Sequence, residues 1–207
     1  CKVLINAAPT VDIGKDRIAS VDEPIVFSGK GCSDIDGEII AYDWALGDWT
    51  RKSGVDVTHA YKNPGTYKVT LKVTDDAGVK NSTASDMLKV FVNDPPVADA
   101  GKDEETARSE GLAGKAAKSL DRDGRLIEFK WDFGDGTQQK VTDQAKMASH
   151  PYERPGKYEV TLTVTDNSES SSATNQDKAI VLINSPPIAN AGPDQLGTTG
   201  EVHFNAT

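Results

Sequence analysis

The chain has 207 residues, and its 23 Lys and Arg against 32 Asp and Glu give a net charge of −9. This acidic balance disfavours a nucleic-acid-binding protein, because such proteins concentrate basic side chains on one surface. The sequence also contains no apolar run of the length that a transmembrane helix requires.

Taken in chain order, the sequence repeats itself. A leading segment of the form Asn-x-x-Pro starts at Asn6, Asn93 and Asn184. This recurrence indicates tandem domains of roughly 90 residues, a length that suffices for a small core. The predicted units are residues 1–92, 93–183 and 184–207. The third ends inside its second predicted strand, which indicates either the start of a domain in a longer array or strands that pair with another chain.

The middle of each unit predicts a strand with one buried face. Its apolar members are Ile40, Tyr42 and Trp44 in the first unit and Ile127, Phe129, Trp131 and Phe133 in the second. Their alternation with polar residues is typical of a half-buried strand. We expect Trp131 to be the main core anchor of its unit, and a Gly-Asp turn to end each strand.

A longer strand follows a Pro-Gly turn in each unit. Its buried positions are predicted to be Tyr67, Val69, Leu71 and Val73, and then Tyr158, Val160, Leu162 and Val164. Trp44 and Trp131 are 87 positions apart, whereas Tyr67 and Tyr158 are 91 apart, so the second unit has a longer loop between these strands. Residues 104–119 have a helix-friendly composition without an apolar stripe, and alignment of the two units predicts a strand there.

Taken together, these segments resemble the polycystic kidney disease (PKD) domain. The resemblance rests on WDFGDG at 131–136, on HPYERPGKYEVTLTVTD at 150–166, on DRDG at 121–124, and on HAYKNPGTYKVTLKVTD at 59–75 in the first unit. The first unit departs from the family pattern at WALGDW and the second at 104–120. The pattern of short strands, together with the resemblance, predicts an all-β chain. We expect tandem immunoglobulin-like sandwiches of seven strands each, followed by the start of a third.

Acidic turns form the one group of residues with metal-binding chemistry. The candidate ligands are Asp34, Asp36, Asp75, Asp121, Asp123, Asp166 and Asn93. In an immunoglobulin-like topology their loops share one end of each sandwich, where carboxylate and amide oxygens suit calcium. Asp-x-Asp-Gly is also ordinary turn chemistry, so a purely structural role stays open. The resemblance favours calcium, because some PKD domains bind it in this region.

Two aromatic residues, Trp49 and Tyr42, are candidate ligand contacts. Trp49 follows the Gly-Asp turn where the second unit has Gly136, and an exposed ring there could contact a sugar or a protein. The alternative is that the ring folds back over its own core. His59 and His150 occupy equivalent positions 91 residues apart, and we expect them to have packing roles because no zinc motif surrounds them.

Cysteine and glycosylation signals are sparse. Cys1 and Cys32 are predicted at the same end of the first sandwich, so a disulfide between them is one expectation. A lipidated Cys1 or two free thiols are the alternatives. Asn81 begins an Asn-Ser-Thr triplet that fits the N-glycosylation sequon.

The sequence predicts a protein without catalytic activity, because no nucleophile, phosphate-loop or zinc-hydrolase motif is present. The resemblance implies a microbial extracellular or cell-surface protein, in which such units act as semi-rigid spacers, adhesion modules or protein–protein interaction repeats. One alternative is an accessory module of a secreted hydrolase that binds polysaccharide or collagen. Another is a subunit of an extracellular filament or surface layer. The expected partners are a protein or polysaccharide at the cell surface, or further copies of the chain.

Overall fold

The computed structural model describes residues 5–107, 112–114, 118–143, 148–185 and 187–188. Its strands fall into two sets of seven. The first set is β1 (Arg17–Ser20), β2 (Ile25–Ser28), β3 (Ile39–Ala45), β4 (Arg51–Ser53), β5 (Asp56–His59), β6 (Gly65–Asp75) and β7 (Thr83–Asn93). The second set is β8 (Glu104–Ala107), β9 (Leu112–Gly114), β10 (Leu126–Asp132), β11 (Gln138–Val141), β12 (Ala148–His150), β13 (Gly156–Asp166) and β14 (Thr174–Asn184).

Both sets have the same topology. Each builds one five-stranded sheet, ordered β1-β7-β6-β3-β4 in the first unit and β8-β14-β13-β10-β11 in the second. A two-stranded sheet, β2-β5 or β9-β12, completes each unit. Only β1 with β7 and β8 with β14 pair in parallel among the described strands. The all-β prediction is confirmed, as is the strand predicted within 104–119, where β8 and β9 lie.

Each unit buries its own core around one tryptophan. Trp44 and Trp131 are both almost fully buried, as predicted for Trp131. Trp44 packs against Phe27 with 5.9 Å between ring centroids, and its indole N–H donates a 2.9 Å hydrogen bond to the carbonyl of Gly54. Burying an aromatic ring of this size stabilises a small domain strongly, provided that its polar atom finds a partner.

The alternation predicted for the tryptophan strands fails at their first residues. Ile40 and Ile127 are exposed, although both were expected on the buried face. The register of β3 against β6 shifts between Ile39 and Ala41, and that of β10 against β13 shifts between Leu126 and Glu128. A β-bulge inserts one extra residue and reverses the side-chain alternation on one side of it, which explains the error.

The leading segment of the first unit is not a regular strand. Its backbone pairs with the sandwich at an isolated bridge, in which Thr10 and Ser33 exchange backbone hydrogen bonds. The first strand begins only at Arg17. The predicted third unit lies outside the described residues except at 184, 185, 187 and 188. Within the described part of the chain, no helix is long and apolar enough to cross a membrane.

Candidate metal site at the ends of the sandwiches

The candidate ligands of the first unit meet where β2 leads into β3 and where β6 ends. Asp34 and Asp36 lie in the turn before β3, and Asp75 is the last residue of β6. The turn packs so tightly that a Cβ at Gly37 would lie 2.4 Å from Asp76 Oδ1 and 2.8 Å from Asp34 Oδ2. Two carboxylate oxygens therefore converge on the face of this glycine, and no other residue fits there.

The leading segment closes this cluster. The amide of Asn6 donates a 3.0 Å hydrogen bond to Asp75 Oδ2, and the backbone N–H of Ala7 donates one of 3.0 Å to Asp36 Oδ2. The residue pair Asp34 and Asp36 is thus held between the leading segment and the end of β6. This is the convergence that the sequence predicted.

The second unit repeats the arrangement with Asp121, Asp123 and Asp166. A Cβ at Gly124 would lie 2.6 Å from Asp121 Oδ2 and 2.7 Å from Asn167 Oδ1. Asn93 donates a 3.0 Å hydrogen bond to Asp166 Oδ2, and the N–H of Asp94 donates one of 3.0 Å to Asp123 Oδ2. The two ends therefore match contact for contact.

One carboxylate in each cluster lacks a full set of partners. Both oxygens of Asp34 are buried without a hydrogen bond among the described residues, and so is Oδ2 of Asp121. Burial raises the pKa of Asp34, and the negative charges of Asp36 and Asp75 add to the rise, although the Asp36 amide opposes it. Burial also raises the pKa of Asp121, assisted by Asp123 and Asp166. Buried, unpaired carboxylate oxygens of this kind are rare in folded proteins.

The clusters fit a hard cation in their ligand chemistry. Calcium prefers carboxylate, amide and backbone carbonyl oxygens, which are the groups present here. Among the described residues, however, no three His, Cys, Asp or Glu side chains already surround one point as metal ligands. The reason is visible for Asp36 and Asp75, because one oxygen of Asp36 and both oxygens of Asp75 accept hydrogen bonds from N–H donors. The unpaired oxygens of Asp34 and Asp121 are the ones free to bind a cation.

The cluster of the second unit is also the joint between the two sandwiches. Asn93 is the last residue of β7, yet its side chain is buried against Asp166 of the second unit. The amide of Asn175 donates a 2.7 Å hydrogen bond to the carbonyl of Pro96, which fixes the linker further along. A second contact lies beside it, where Ser171 Oγ is 2.7 Å from Ser20 Oγ and donates to Glu23.

A histidine–aspartate pair recurs at another surface of each unit. His59 Nε2 lies 2.7 Å from Asp48 Oδ2, and His150 Nε2 lies 2.6 Å from Asp135 Oδ2. Each imidazole also contacts the edge of the next tyrosine, with 4.7 Å between the ring centroids of His59 and Tyr61. The sequence analysis assigned packing roles to the histidines but missed their carboxylate partners. The signal was the Gly-Asp turn, which recurs along with the histidine in both units.

Electrostatics distinguish these aspartates from Asp34 and Asp121. Burial alone would raise the pKa of Asp48, but hydrogen bonds from His59 and the Thr50 amide lower it below its ordinary value. Asp135 behaves in the same way, because Thr137 and His150 overcome the effect of burial. Both carboxylates therefore already accept hydrogen bonds on each of their oxygens from groups of the same unit.

The remaining candidate residues lie apart from one another. Trp49 is 100% exposed in the turn between β3 and β4, and its φ of 71° is in the left-handed region. Tyr42 is half-buried in the core and lies at the other end of the same hairpin, where its carbonyl accepts a hydrogen bond from Gly54. The structure therefore does not bring the two predicted contacts together.

Cys32 and Asn81 complete the candidates. Cys32 is half-buried and forms no disulfide with a residue that the structure describes, whereas Cys1 lies outside the described residues, so the disulfide between them stays a prediction. Asn81 is exposed, and its amide donates to the carbonyl of Asn6 beside the acidic cluster. Its glycosylation also stays a prediction.

The repeated geometry agrees with comparison to known proteins. The PKD domain profile matches residues 6–90 and again 93–181. The chain belongs to the PKD domain family. These PKD units are 42% identical over 95 residues to Collagenase ColA of Clostridium perfringens, covering 46% of this chain and 8% of that protein. They are 29% identical over 142 residues to pre-pro-metalloprotease PrtV of Vibrio cholerae, covering 69% of this chain and 15% of that protein.

A solved structure supports the fold alone. Three N-terminal domains of the bacteriophage RB49 highly immunogenic outer capsid protein match with a TM-score of 0.52 at 14% identity. The match covers 86% of this chain and 71% of that one. The PKD chain spans less than a fifth of the length of either protease relative, so the activities named for those proteins are not thereby properties of these residues.

Proposed function

We propose that the two PKD units form a non-catalytic, semi-rigid spacer of an extracellular protein, with calcium bound at the acidic end of each unit. The observation that carries this proposal is the double role of the linker. Asn93 and Asp94 leave the first unit and bond directly to Asp166 and Asp123 in the second. A cation bound at Asp121 would sit beside these bonds and stiffen the joint.

The relatives support an accessory role outside the cell. A collagenase acts on a protein of the extracellular matrix, and the PKD units match only 8% of such an enzyme. A segment of that size is suited to positioning or spacing a larger functional part. The two units would then hold that part at a defined distance from its neighbour or from a surface.

The calcium part of the proposal is tested by calorimetry and thermal unfolding. Extracellular calcium modules bind with dissociation constants of about 10⁻⁴–10⁻³ M, so about 1–10 mM calcium is compared with chelator. We expect two binding events per chain and a higher midpoint of thermal unfolding in calcium. The matched variants are Asp34→Asn and Asp121→Asn, each of which should remove one event. No heat and no thermal shift would leave these aspartates as turn residues.

The spacer part is tested separately by small-angle X-ray scattering. An 11-residue strand spans about 36 Å, so two sandwiches in series should extend to roughly 70 Å. Replacing Pro95 and Pro96 by glycine should broaden the distance distribution, because glycine linkers are flexible and proline linkers are not. An unchanged distribution in the glycine variant would contradict a joint that the linker holds rigid.

A second candidate function is contact with collagen or polysaccharide through Trp49. The fully exposed ring favours it, since the indole offers a partner both an apolar face and an N–H donor. Retention of the chain on insoluble collagen or polysaccharide, and its loss in Trp49→Gly, would support this role. Equal retention of both proteins would exclude Trp49 as the contact.

A further inference from the structure

Apart from Asp43, which is the Cα partner of Lys72, the strand residues on one sheet face of the first unit supply no carboxylate to balance its four cations. The residues are Lys68 and Lys72 on β6, Lys89 on β7 and Arg51 on β4. Strand alternation places all four on the outer face. The three lysines each stand next to a buried core residue of their own strand, and Arg51 is paired with Ala45, which stands next to the buried Trp44. All four are exposed, and none has an ion-pair partner among the residues that the structure describes.

Two of these cations oppose each other directly. Lys68 and Lys89 are Cα partners on neighbouring strands. Like charges at such positions destabilise a sheet. The equivalent pair in the second unit is Glu159 and Ile180, which avoids the repulsion within the same fold. The fold therefore does not require the lysine pair, and the first unit carries an electrostatic cost at this face.

The other two positions show the same contrast. Lys72 corresponds to Thr163 in the second unit, and Arg51 corresponds to Gln138. The second unit does have lysines on its outer face, but Lys178 pairs with Glu159 there. Lys130 and Lys157 lie on that face too, without an ion pair among the described residues, but the carboxylates of Glu128, Asp132 and Glu159 accompany the lysines there. The excess of cations is therefore larger on the first unit, in a chain whose net charge is −9.

We propose that this cationic face, formed by Lys68, Lys72, Lys89 and Arg51, binds an anionic polysaccharide that carries carboxylate or sulfate groups. The inference rests neither on the spacer role nor on the calcium sites. Lys68 and Lys72 are four residues apart, or about 13 Å along the strand, while neighbouring strands lie about 4.8 Å apart. An extended polymer with regularly spaced charges could therefore contact several of these side chains at once.

The surface suits a glycan better than a peptide. Thr70 lies between Lys68 and Lys72 on the same face, so a hydroxyl is available between the charges. Peptides commonly add a strand at an open sheet edge. The edge strands of this sheet, β1 and β4, have only four and three residues, which leaves little edge for that mode.

The test variant exchanges residues of the first unit for those that the second unit already tolerates. It carries Lys68→Glu, Lys72→Thr and Lys89→Ile. The control variant carries Lys62→Glu, Lys80→Ser and Lys157→Thr, all at exposed positions off this face. Both variants make the net charge of −9 more negative by four. Binding to heparin, which is sulfated, and to polygalacturonate, which carries only carboxylates, is measured by calorimetry at physiological ionic strength.

We expect the wild type to bind at least one of the two polymers and the control to bind equally well. The test variant should bind about tenfold more weakly or worse, since several exposed charge contacts are lost together. Wild-type binding should also vanish at 1 M salt, where the Debye length is about 3 Å. Retention at that salt concentration would point to stacking on Trp49 and overturn the assignment to the cations.

A single substitution separates binding from folding. Lys68→Glu places opposite charges across the strands, as Glu159 and Lys178 do nearby in the second unit, so it should raise the thermal midpoint while weakening polymer binding. Equal loss in the test and control variants would show an effect of net charge alone and overturn the proposal. Failure of the wild type to bind either polymer, tighter binding of duplex DNA, or self-association abolished by the test variant would overturn it as well.

Discussion

The side-chain amide of Asn93, at the end of one sandwich, donates a 3.0 Å hydrogen bond to Asp166, at the end of a strand in the next. Both residues are almost fully buried, at 1% and 2% exposure. The same bond joins Asn6 to Asp75 in the first unit. A PKD unit in this chain is therefore completed by the residue that precedes it, so its stability and its attachment to its neighbour depend on the same contact.

Replacing Asn93 by alanine should destabilise the second unit. The change leaves Asp166 buried with one donor fewer, and an unsatisfied buried acceptor costs about 1–3 kcal/mol. Denaturant unfolding of the two-unit protein checks this, because the transition of the second unit should move to lower urea concentration. The transition of the first unit should stay in place, since Asn6 and Asp75 are untouched.

The matched control for this variant is Asp94→Ala. The side chain of Asp94 makes only a 3.4 Å ion pair with the exposed Arg122. Such a pair contributes about 0–1 kcal/mol, so the control should unfold nearly like the wild type. If both variants lost stability equally, the linker position rather than the buried amide would be responsible.

The effect of Asp34→Asn on the melting temperature should change sign when calcium is added. The folded pKa of Asp34 is raised by burial, so without a cation its ionised form opposes folding as pH rises above the unfolded value. The asparagine variant avoids that penalty and should melt at a higher temperature than the wild type in chelator at pH 7. With calcium the order should reverse, because the negative carboxylate of Asp34 binds the cation more strongly than the neutral amide of the variant does. Differential scanning calorimetry of both proteins in both buffers is the measurement.

Asp22→Asn controls for charge removal in the same unit. Asp22 lies on the surface, where it forms an ion pair with Lys62, and it is not one of the candidate calcium ligands. Its substitution should leave the calcium-dependent shift intact. A wild type that melts identically in calcium and chelator would instead show that Asp34 serves the turn alone.

Much of the fold could be predicted because the same pattern of apolar and polar residues occurs in both units. Trp44 and Trp131 stand at matching points of a period-two alternation, and repetition separates such a signal from chance. The bulges that expose Ile40 and Ile127 could not be predicted in this way. They depend on how β3 and β10 register against their partners, and alternation alone contains no information about a local insertion.

The acidic ends were predictable in place but not in detail. Asp34 and Asp75 are 41 residues apart in the sequence, and the immunoglobulin-like topology brings them together. Which oxygens remain unpaired depends on where the leading segment directs its N–H groups, and no local pattern specifies that. The partnership of His59 with Asp48 was missed for the same reason, since it joins the end of β5 to the turn after β3 rather than two positions in one motif.

Stability in acid should depend on the histidine–aspartate pairs. The pKa of Asp48 is lowered in the folded state, so its contribution is complete above the unfolded value of about 3.9 and is lost as pH falls through the folded value. Asp48→Asn should therefore cost about 1 kcal/mol at pH 7 and nothing at pH 2. Thermal unfolding of both proteins between these limits should give curves that converge below about pH 4.

The second unit offers an internal check on that result. Asp135 is held by Thr137 and His150, and its pKa is lowered in the same way. Asp135→Asn should give the same convergence in the transition of the second unit. A difference that persists unchanged at pH 2 would assign the loss to turn geometry rather than to the charge of the carboxylate.

Replacing Trp49 by glycine should stabilise the first unit. Trp49 has a φ of 71°, and the equivalent residue of the second unit is Gly136, with a φ of 93°. The left-handed region costs an L-residue roughly 1–2 kcal/mol and costs glycine little, while the fully exposed indole buries nothing in return. We therefore expect a gain of about 1 kcal/mol in the free energy of unfolding, measured by urea titration. The reciprocal control, Gly136→Ala, should lose a similar amount in the second unit. A loss of stability in both variants would mean that the indole of Trp49 stabilises the turn despite the unfavourable φ of that residue.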